Sequence, residues 1–416
     1  MPINAQELGR RLRAAREACR MNQEHVAQHL GASRSTVAQM ELGNRAVSSL
    51  ELDRLAYLFG RDIREFVADA FREEDTLAAL FRAEPAVAET PGVVEKIREC
   101  IAIGRELTNI EQLLGIDREQ NTVAAFPLPA PRTRWEAIQQ SARVADEERR
   151  RLGLGLSPVP EMSEIIELQG VRTGLVDLPD DVSGLSINDP KLGFFVVANR
   201  QHHVWRRRFS FAHEYAHLLM DRNRFGTVSR ASQNDDLIEV RANSFAASFL
   251  MPPDAVARFV SALGKGKPSR SLAQVYDENE AVTVEGRAAP HSQDLQTYDV
   301  VQMAFLFGVS VPAALYRLRN LRFITDLELS RLKSEDDGGR SLTAARLLGV
   351  VEPDHAGARN EFRHRFLGLA LDAYRRDMIS TGKLRELARL VGAPTVDLET
   401  LIGDAGEDAT DPGDQR

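Results

Sequence analysis

Phe209-Ser210-Phe211-Ala212-His213-Glu214-Tyr215-Ala216-His217-Leu218-Leu219-Met220 carries two histidines four residues apart, with a glutamate beside the first. At this spacing on a helix the two imidazoles stand one above the other and face the same way. Phe209, Phe211, Ala212, Ala216, Leu218 and Leu219 make the segment apolar, so the helix is expected to be buried. Histidines and a carboxylate in a buried helix need partners, because unpaired polar groups are costly to desolvate. A metal ion supplies one. Two neutral nitrogen ligands and an adjacent base are the starting set for zinc-dependent hydrolysis. His213 and His217 are therefore candidate metal ligands. Glu214 is the candidate catalytic base, taking a proton from the attacking water and passing it to the leaving amine.

A hydrolytic zinc site usually takes three protein ligands. Cys19 and Cys100 are the only cysteines and neither lies nearby. The run from Leu237 to Met251 is rich in Ala and Phe, and reads as a second helix stopped by Pro252-Pro253. Ala242, Ala246 and Ala247 leave room for two helices to approach closely. Glu239, at its start, is the candidate third ligand; Asp221, Asp235 and Asp236 compete from a polar stretch. Zinc is the expected metal, with manganese or iron as alternatives.

The joint pattern is more specific than its parts. R-F-x-x-A-H-E-x-x-H at 208–217, E-x-x-A-N-x-F-A-A at 239–247 and L-M-P at 250–252 together resemble the ImmA/IrrE family of metallopeptidases. The resemblance implies that His213, His217 and Glu239 bind the metal and that Glu214 is catalytic. It implies a zincin-like α+β unit. It also implies a protein substrate, a repressor of the helix-turn-helix type, whose cleavage switches genes on in stress responses and mobile elements.

Residues 7–67 show five short amphipathic segments divided by turn signals. Gly31 closes the second, Ser33 caps the third, and Gly43 closes that one. The pattern from Gln23 through Val26-Ala27, Leu30-Gly31-Ala32-Ser33, Val37 and Met40-Glu41 to Gly43 resembles Cro/CI-like (XRE) DNA-binding domains. In such domains the third helix enters the major groove. Arg34, Ser35 and Gln39 are then candidates for base edges, and Gln23 and Ser33 for phosphates. Ten arginines face eight acids over residues 1–67, a balance of +2, so non-specific attraction to DNA is modest. Self-pairing into a homodimer through this bundle is an alternative use.

The 416 residues, 43% apolar and with net charge −8, suffice for two or three packed domains. No run has the length of a membrane span, and the start lacks the form of a signal peptide. A cytoplasmic protein without a membrane partner is expected.

The fold class expected is multidomain and mainly α, with a small β-sheet in the catalytic unit and an N-terminal five-helix bundle. The divisions are 1–70 (helix-turn-helix), 71–157 (helical and Pro-containing linker), 158–260 (metallopeptidase), 261–295 (mobile insertion), 296–402 (helical C-terminal region with a helix-turn-helix-like segment) and 403–416 (disordered acidic tail).

Within the catalytic unit, 165–168, 171–176, 184–187 and 193–199 read as strands. Phe194–Asn199 is the candidate edge for pairing with an extended substrate. Asn199, His202 and His203 are candidate substrate or oxyanion contacts, and Trp135 is expected to be buried. The function expected is a DNA-binding zinc metalloprotease that cuts a repressor of the helix-turn-helix type. The alternative is an XRE-type repressor or antitoxin-like regulator whose peptidase fold senses a ligand or partner without turnover.

Overall fold

The computed structural model describes residues 3–72, 76–83, 91–116, 123–189, 193–222, 226–230, 236–265, 270–276, 281–287, 292–350, 361–394 and 398. The N-terminal bundle contains α1 (Ala5–Ala18), α2 (Gln23–Leu30), α3 (Arg34–Glu41), α4 (Ser49–Leu58) and α5 (Ile63–Val67). Each begins with a capping side chain: Asn4, Asn22, Ser33, Ser48 and Asp62 all accept a backbone N–H of the first turn. Gly31 ends α2 at φ 67°, the left-handed conformation that permits the tight turn into α3. Gly9 lets α1 meet the end of α3, since a Cβ there would lie 2.6 Å from the carbonyl oxygens of Met40 and Glu41. A buried ion pair ties the same two helices, with Arg16 Nε 2.6 Å from Glu41 Oε1.

The second unit is built on a mixed four-stranded sheet of order β1-β3-β2-β4. Its strands are β1 (Arg172–Val176), β2 (Val182–Asp189), β3 (Gly193–Asn199) and β4 (Gly226–Arg230). β1 runs parallel to β3, while β2 is antiparallel to both β3 and β4. Alternation divides the sheet into two faces. Leu185, Ile187, Phe195, Val197 and Val228 join the core of the N-terminal bundle through α6 (Thr76–Ala83) and α7 (Pro91–Leu113). Val196 and Ala198 face a second core around α8 (Arg134–Arg151), α9 (Met162–Leu168), α10 (Val204–Met220) and α11 (Leu237–Leu250).

The helices of this second core are held by small residues and by buried polar ties. Ala137, Ser141 and Ala145 of α8 are buried, as are Ala242 and Ala246 of α11, and the two helices pack closely. Tyr215 of α10 donates its hydroxyl to Glu148 Oε1 at 2.5 Å. Arg149 donates to the carbonyls of Gly155, Ser157 and Phe249, joining α8 to the end of α11.

α12 (Pro253–Ala262) is followed by a two-stranded hairpin of β5 (Arg270–Tyr276) and β6 (Ala281–Arg287). Next come α13 (Thr297–Phe307), α14 (Val311–Asn320), α15 (Asp326–Asp337) and α16 (Arg340–Leu347). α13 and α14 meet at 102°. α17 (Glu361–Arg375) and α18 (Thr381–Leu390) pack with Leu107 and Ile110 of α7. Among the described residues no single helix is long and apolar enough to cross a membrane.

The multidomain, mainly helical architecture with a small sheet is the one expected. Three details differ. Residues 165–168 lie in helix α9, because Met162, Ile165 and Ile166 form a buried stripe at helical spacing. β3, expected at an edge, is central, and the edges are β1 and β4. Trp135 is 71% exposed, since the buried stripe of α8 runs through Ala137, Ser141 and Val144 instead. Part of the expected insertion 261–295 forms the β5–β6 hairpin. The expected tail 403–416 lies outside the described residues.

Candidate metal centre

α10 presents His213 and His217 on one face, and α11 crosses it to bring Glu239 opposite them. His213 Nε2 lies 3.1 Å from Glu239 Oε2 and 3.2 Å from His217 Nε2. His217 Nε2 lies 3.4 Å from Glu239 Oε1. Metal–nitrogen and metal–oxygen bonds of about 2.0–2.1 Å in a tetrahedron set neighbouring donors about 3.3–3.4 Å apart. The observed separations suit such an ion. Among the described residues these three form the group of His, Cys, Asp or Glu side chains able to hold one.

The outer atoms of both imidazoles are already committed. His213 Nδ1 is 3.0 Å from Asn243 Oδ1, and His217 Nδ1 is 3.1 Å from Asp221 Oδ2. Both partners are acceptors, so each Nδ1 donates outward and each ring turns its Nε2 towards the centre. Two ring nitrogens and a carboxylate then converge at just over 3 Å, an arrangement that could hold a cation between them. The proton affinity of the pocket reflects the same convergence. Burial pulls the pKa of His217 down, but hydrogen bonds to Asp221 and Glu239 and the charge of Glu239 outweigh it and push the value up to about 10. Burial raises the pKa of Glu239, while hydrogen bonds from His213 and His217 overcome this and lower it.

Asp221 also accepts from Arg241 Nη2 at 2.5 Å, and Arg241 Nη1 bonds Gln140 Oε1 at 2.8 Å. A continuous chain therefore runs from His217 through Asp221 and Arg241 to α8. Asp236 caps α11, and Asp235 lies outside the described residues. Asp221 thus stands behind a histidine, while Glu239 stands in front of both.

Glu214 is fully buried, and burial raises its pKa. The neighbouring charges of His213 and His217, and the nearby Ser229 hydroxyl, act in the opposite direction. Among the described residues neither carboxylate oxygen accepts a hydrogen bond of ordinary geometry. A buried carboxylate without an ordinary hydrogen bond among the described residues, beside three converging donors, fits a site that could take a metal and a water. Gly184 of β2 makes room for it: a Cβ there would lie 3.1 Å from Glu214 Oε1 and 2.6 Å from the carbonyl oxygen of Val197.

A family model described as an IrrE N-terminal-like domain matches residues 168–279, and one described as a helix-turn-helix domain matches 7–67. The chain joins a helix-turn-helix domain to an IrrE-like domain. A search of curated proteins finds no match.

The remaining sequence candidates of the IrrE-like domain have other partners. Asn199 Nδ2 donates to the carbonyls of Leu178, Pro179 and Val182, holding the loop between β1 and β2. His202 Nε2 lies 3.1 Å from the carbonyl oxygen of Asp180 in that loop. His203 caps α10 by accepting the N–H of Trp205. Arg208 reaches the carbonyls of Val159 and Pro160. A cavity of about 540 Å³ opens beside β1 and is lined by Lys96, Cys100, Arg200 and Arg207; it contains none of the three converging donors.

In the helix-turn-helix domain, Arg34, Ser35 and Gln39 of α3 are exposed. Gln39 Oε1 accepts from Asn44 at 2.9 Å. Ser33 caps α3 and Gln23 Nε2 is 2.9 Å from Glu41 Oε2, so both of these side chains fix the turn geometry.

Residues that sequence reasoning left without a role are Ser229, Asn243 and Arg241. Asn243 stands within the E-x-x-A-N pattern, which was the signal available for it. Ser229 has none, because β4 is five residues long and contains Gly, Ser and Thr.

Proposed function

We propose that the protein is a DNA-binding, zinc-dependent metallo-endopeptidase. It cuts a protein target, a repressor of the helix-turn-helix type, and so controls gene expression. The observation that carries this reading is the convergence of His213, His217 and Glu239 within 4.8 Å beside the buried, unpartnered Glu214.

His213, His217 and Glu239 hold the ion, and Asn243 and Asp221 fix the two rings. When bound, a zinc ion polarises a peptide carbonyl and lowers the pKa of water towards neutrality. Glu214 takes a proton from the attacking water and returns it to the leaving amine. Its raised pKa suits a group that must hold that proton between the two steps. β4 is the edge strand on the side of the centre, and an extended substrate can add to it through main-chain hydrogen bonds. Arg34, Ser35 and Gln39 read base edges and bring the peptidase to its operator, where repressors of the same kind bind.

Purified protein, zinc and helix-turn-helix proteins encoded beside this one are incubated together, and fragment masses are read. The wild type yields discrete fragments of one target. Glu214→Gln binds zinc equally and yields none. Cleavage by Glu214→Gln at the wild-type rate would remove the assigned base.

A further inference from the structure

Ser229 lies on the edge strand β4 and is buried. Its Oγ is 3.0 Å from His213 Nε2, about the spacing that separates the three donors from one another. Ser229 pairs with Gly184, the residue against which Glu214 packs. Its hydroxyl is also close enough to Glu214 to act on the carboxyl. The hydroxyl therefore stands near both the converging donors and the base.

The rest of the centre is closed as well. Glu214, His217, Glu239 and His213 are 0, 2, 4 and 5% exposed. All four side chains that a peptide carbonyl would have to reach are buried in this arrangement. The part of the molecule best suited to move is β4. It is an edge strand, its ladder with β2 has an irregularity between Val182 and Gly184, and it is five residues long. Ser183 Oγ holds it there by donating to the carbonyl of Ser229 at 3.2 Å.

We propose that Ser229 is a gate: in the closed arrangement its hydroxyl fills the place of the attacking water, and β4 must shift before water and substrate can enter. The peptidase described here is then latent, and a target that pairs with the edge of β4 draws Ser229 away as it binds. The gate rests on the peptidase reading for its purpose, but its test needs only a loaded metal.

Full-length protein is loaded with Co²⁺ and titrated with acetohydroxamate, a small metal-binding probe, while the visible absorption of the cobalt is followed. Ser229→Ala is expected to bind the probe about tenfold more tightly than wild type, the effect of losing one buried hydrogen bond that must be broken on entry, and to reach saturation faster. Ser229→Thr keeps a hydroxyl and is expected to follow the wild type. Equal affinity and rate in Ser229→Ala and wild type overturn the gate, as does a Ser229→Thr that behaves like Ser229→Ala.

A second measurement uses the wild type alone. Saturating acetohydroxamate should speed amide hydrogen exchange across Gly226–Arg230; unchanged exchange there also overturns the proposal. The two readings fail separately. Loss of cleavage in Glu214→Gln with no Ser229 effect leaves a peptidase without a gate. The Ser229 effects without cleavage of any target leave a gated metal site that is not a peptidase.

Discussion

Replacing Asp221 by Ala tests whether the centre is held from behind. Asp221 stands between His217 Nδ1 at 3.1 Å and Arg241 Nη2 at 2.5 Å, and all three side chains are buried. Its loss acts on two levels. Arg241 becomes a buried cation without its carboxylate, and breaking a buried pair from one side costs about 3–5 kcal/mol. The bonds of Arg241 to Gln140 Oε1 and the carbonyl oxygen of Pro129 remain, so the lower end of that range is expected. His217 meanwhile loses the acceptor that fixes its tautomer. Losing such a partner typically weakens metal binding about 10–100-fold, or about 1.4–2.7 kcal/mol.

The assays are urea unfolding of the metal-free protein and competition for zinc against a chromophoric chelator. Asp221→Asn offers an oxygen to His217 but no charge to Arg241. It should therefore recover more of the metal affinity than of the stability. Wild-type zinc affinity together with an unchanged urea midpoint in Asp221→Ala would refute the chain from His217 to α8.

Three further outcomes can be measured. His217 keeps its proton in the metal-free pocket up to about pH 10, above the ordinary 6.5, so zinc binding at pH 8 should release about one proton. A pH indicator in weakly buffered solution reads this, and zero release would contradict the raised pKa. By the same sign, this histidine stabilises the metal-free fold fully below about pH 6.5 and ceases to do so as pH rises through about 10. Gly184→Ala should lower stability by about 1–3 kcal/mol through overpacking and reduce turnover by displacing Glu214; an active, equally stable variant would show that the β2 contact is not tight. Cys19 and Cys100 are both buried, and burial pushes the Cys100 thiol up to about 12. Neither should react with iodoacetamide at pH 8 until urea is added, and modification of the native protein would place a thiol at the surface.

The convergence of His213, His217 and Glu239 was legible because its signals are local. The i, i+4 histidines need only a helix, and Glu239 opens an Ala-rich helix whose small residues permit close crossing. The central place of β3 was also written in the sequence. Phe194–Ala198 is an unbroken apolar run, the mark of a strand covered on both faces, and reading it as an edge ignored that signal. The partnership of Asp221 with Arg241 and of Ser229 with His213 was not legible. Both depend on how α11 and β4 lie across α10, and no periodicity in either segment encodes that. Trp135 was misread by type: large aromatic residues are commonly buried, but its position on α8 lies off the stripe that meets α11.

The apolar core that runs from the helix-turn-helix domain to the sheet has a consequence for how the molecule comes apart. Leu12, Val37 and Phe59 share one continuous cluster with Leu77, Ile97, Leu185 and Val197, and Tyr57 is hydrogen-bonded to Glu95 of α7. The DNA-reading end is thus grafted onto the scaffold, unlike a head swinging on a tether. Heating should melt the two in a single calorimetric transition, and brief proteolysis should not liberate a stable fragment of residues 1–70. Any displacement within the helix-turn-helix bundle would then reach β2 and β3 through packed side chains, with no hinge in between.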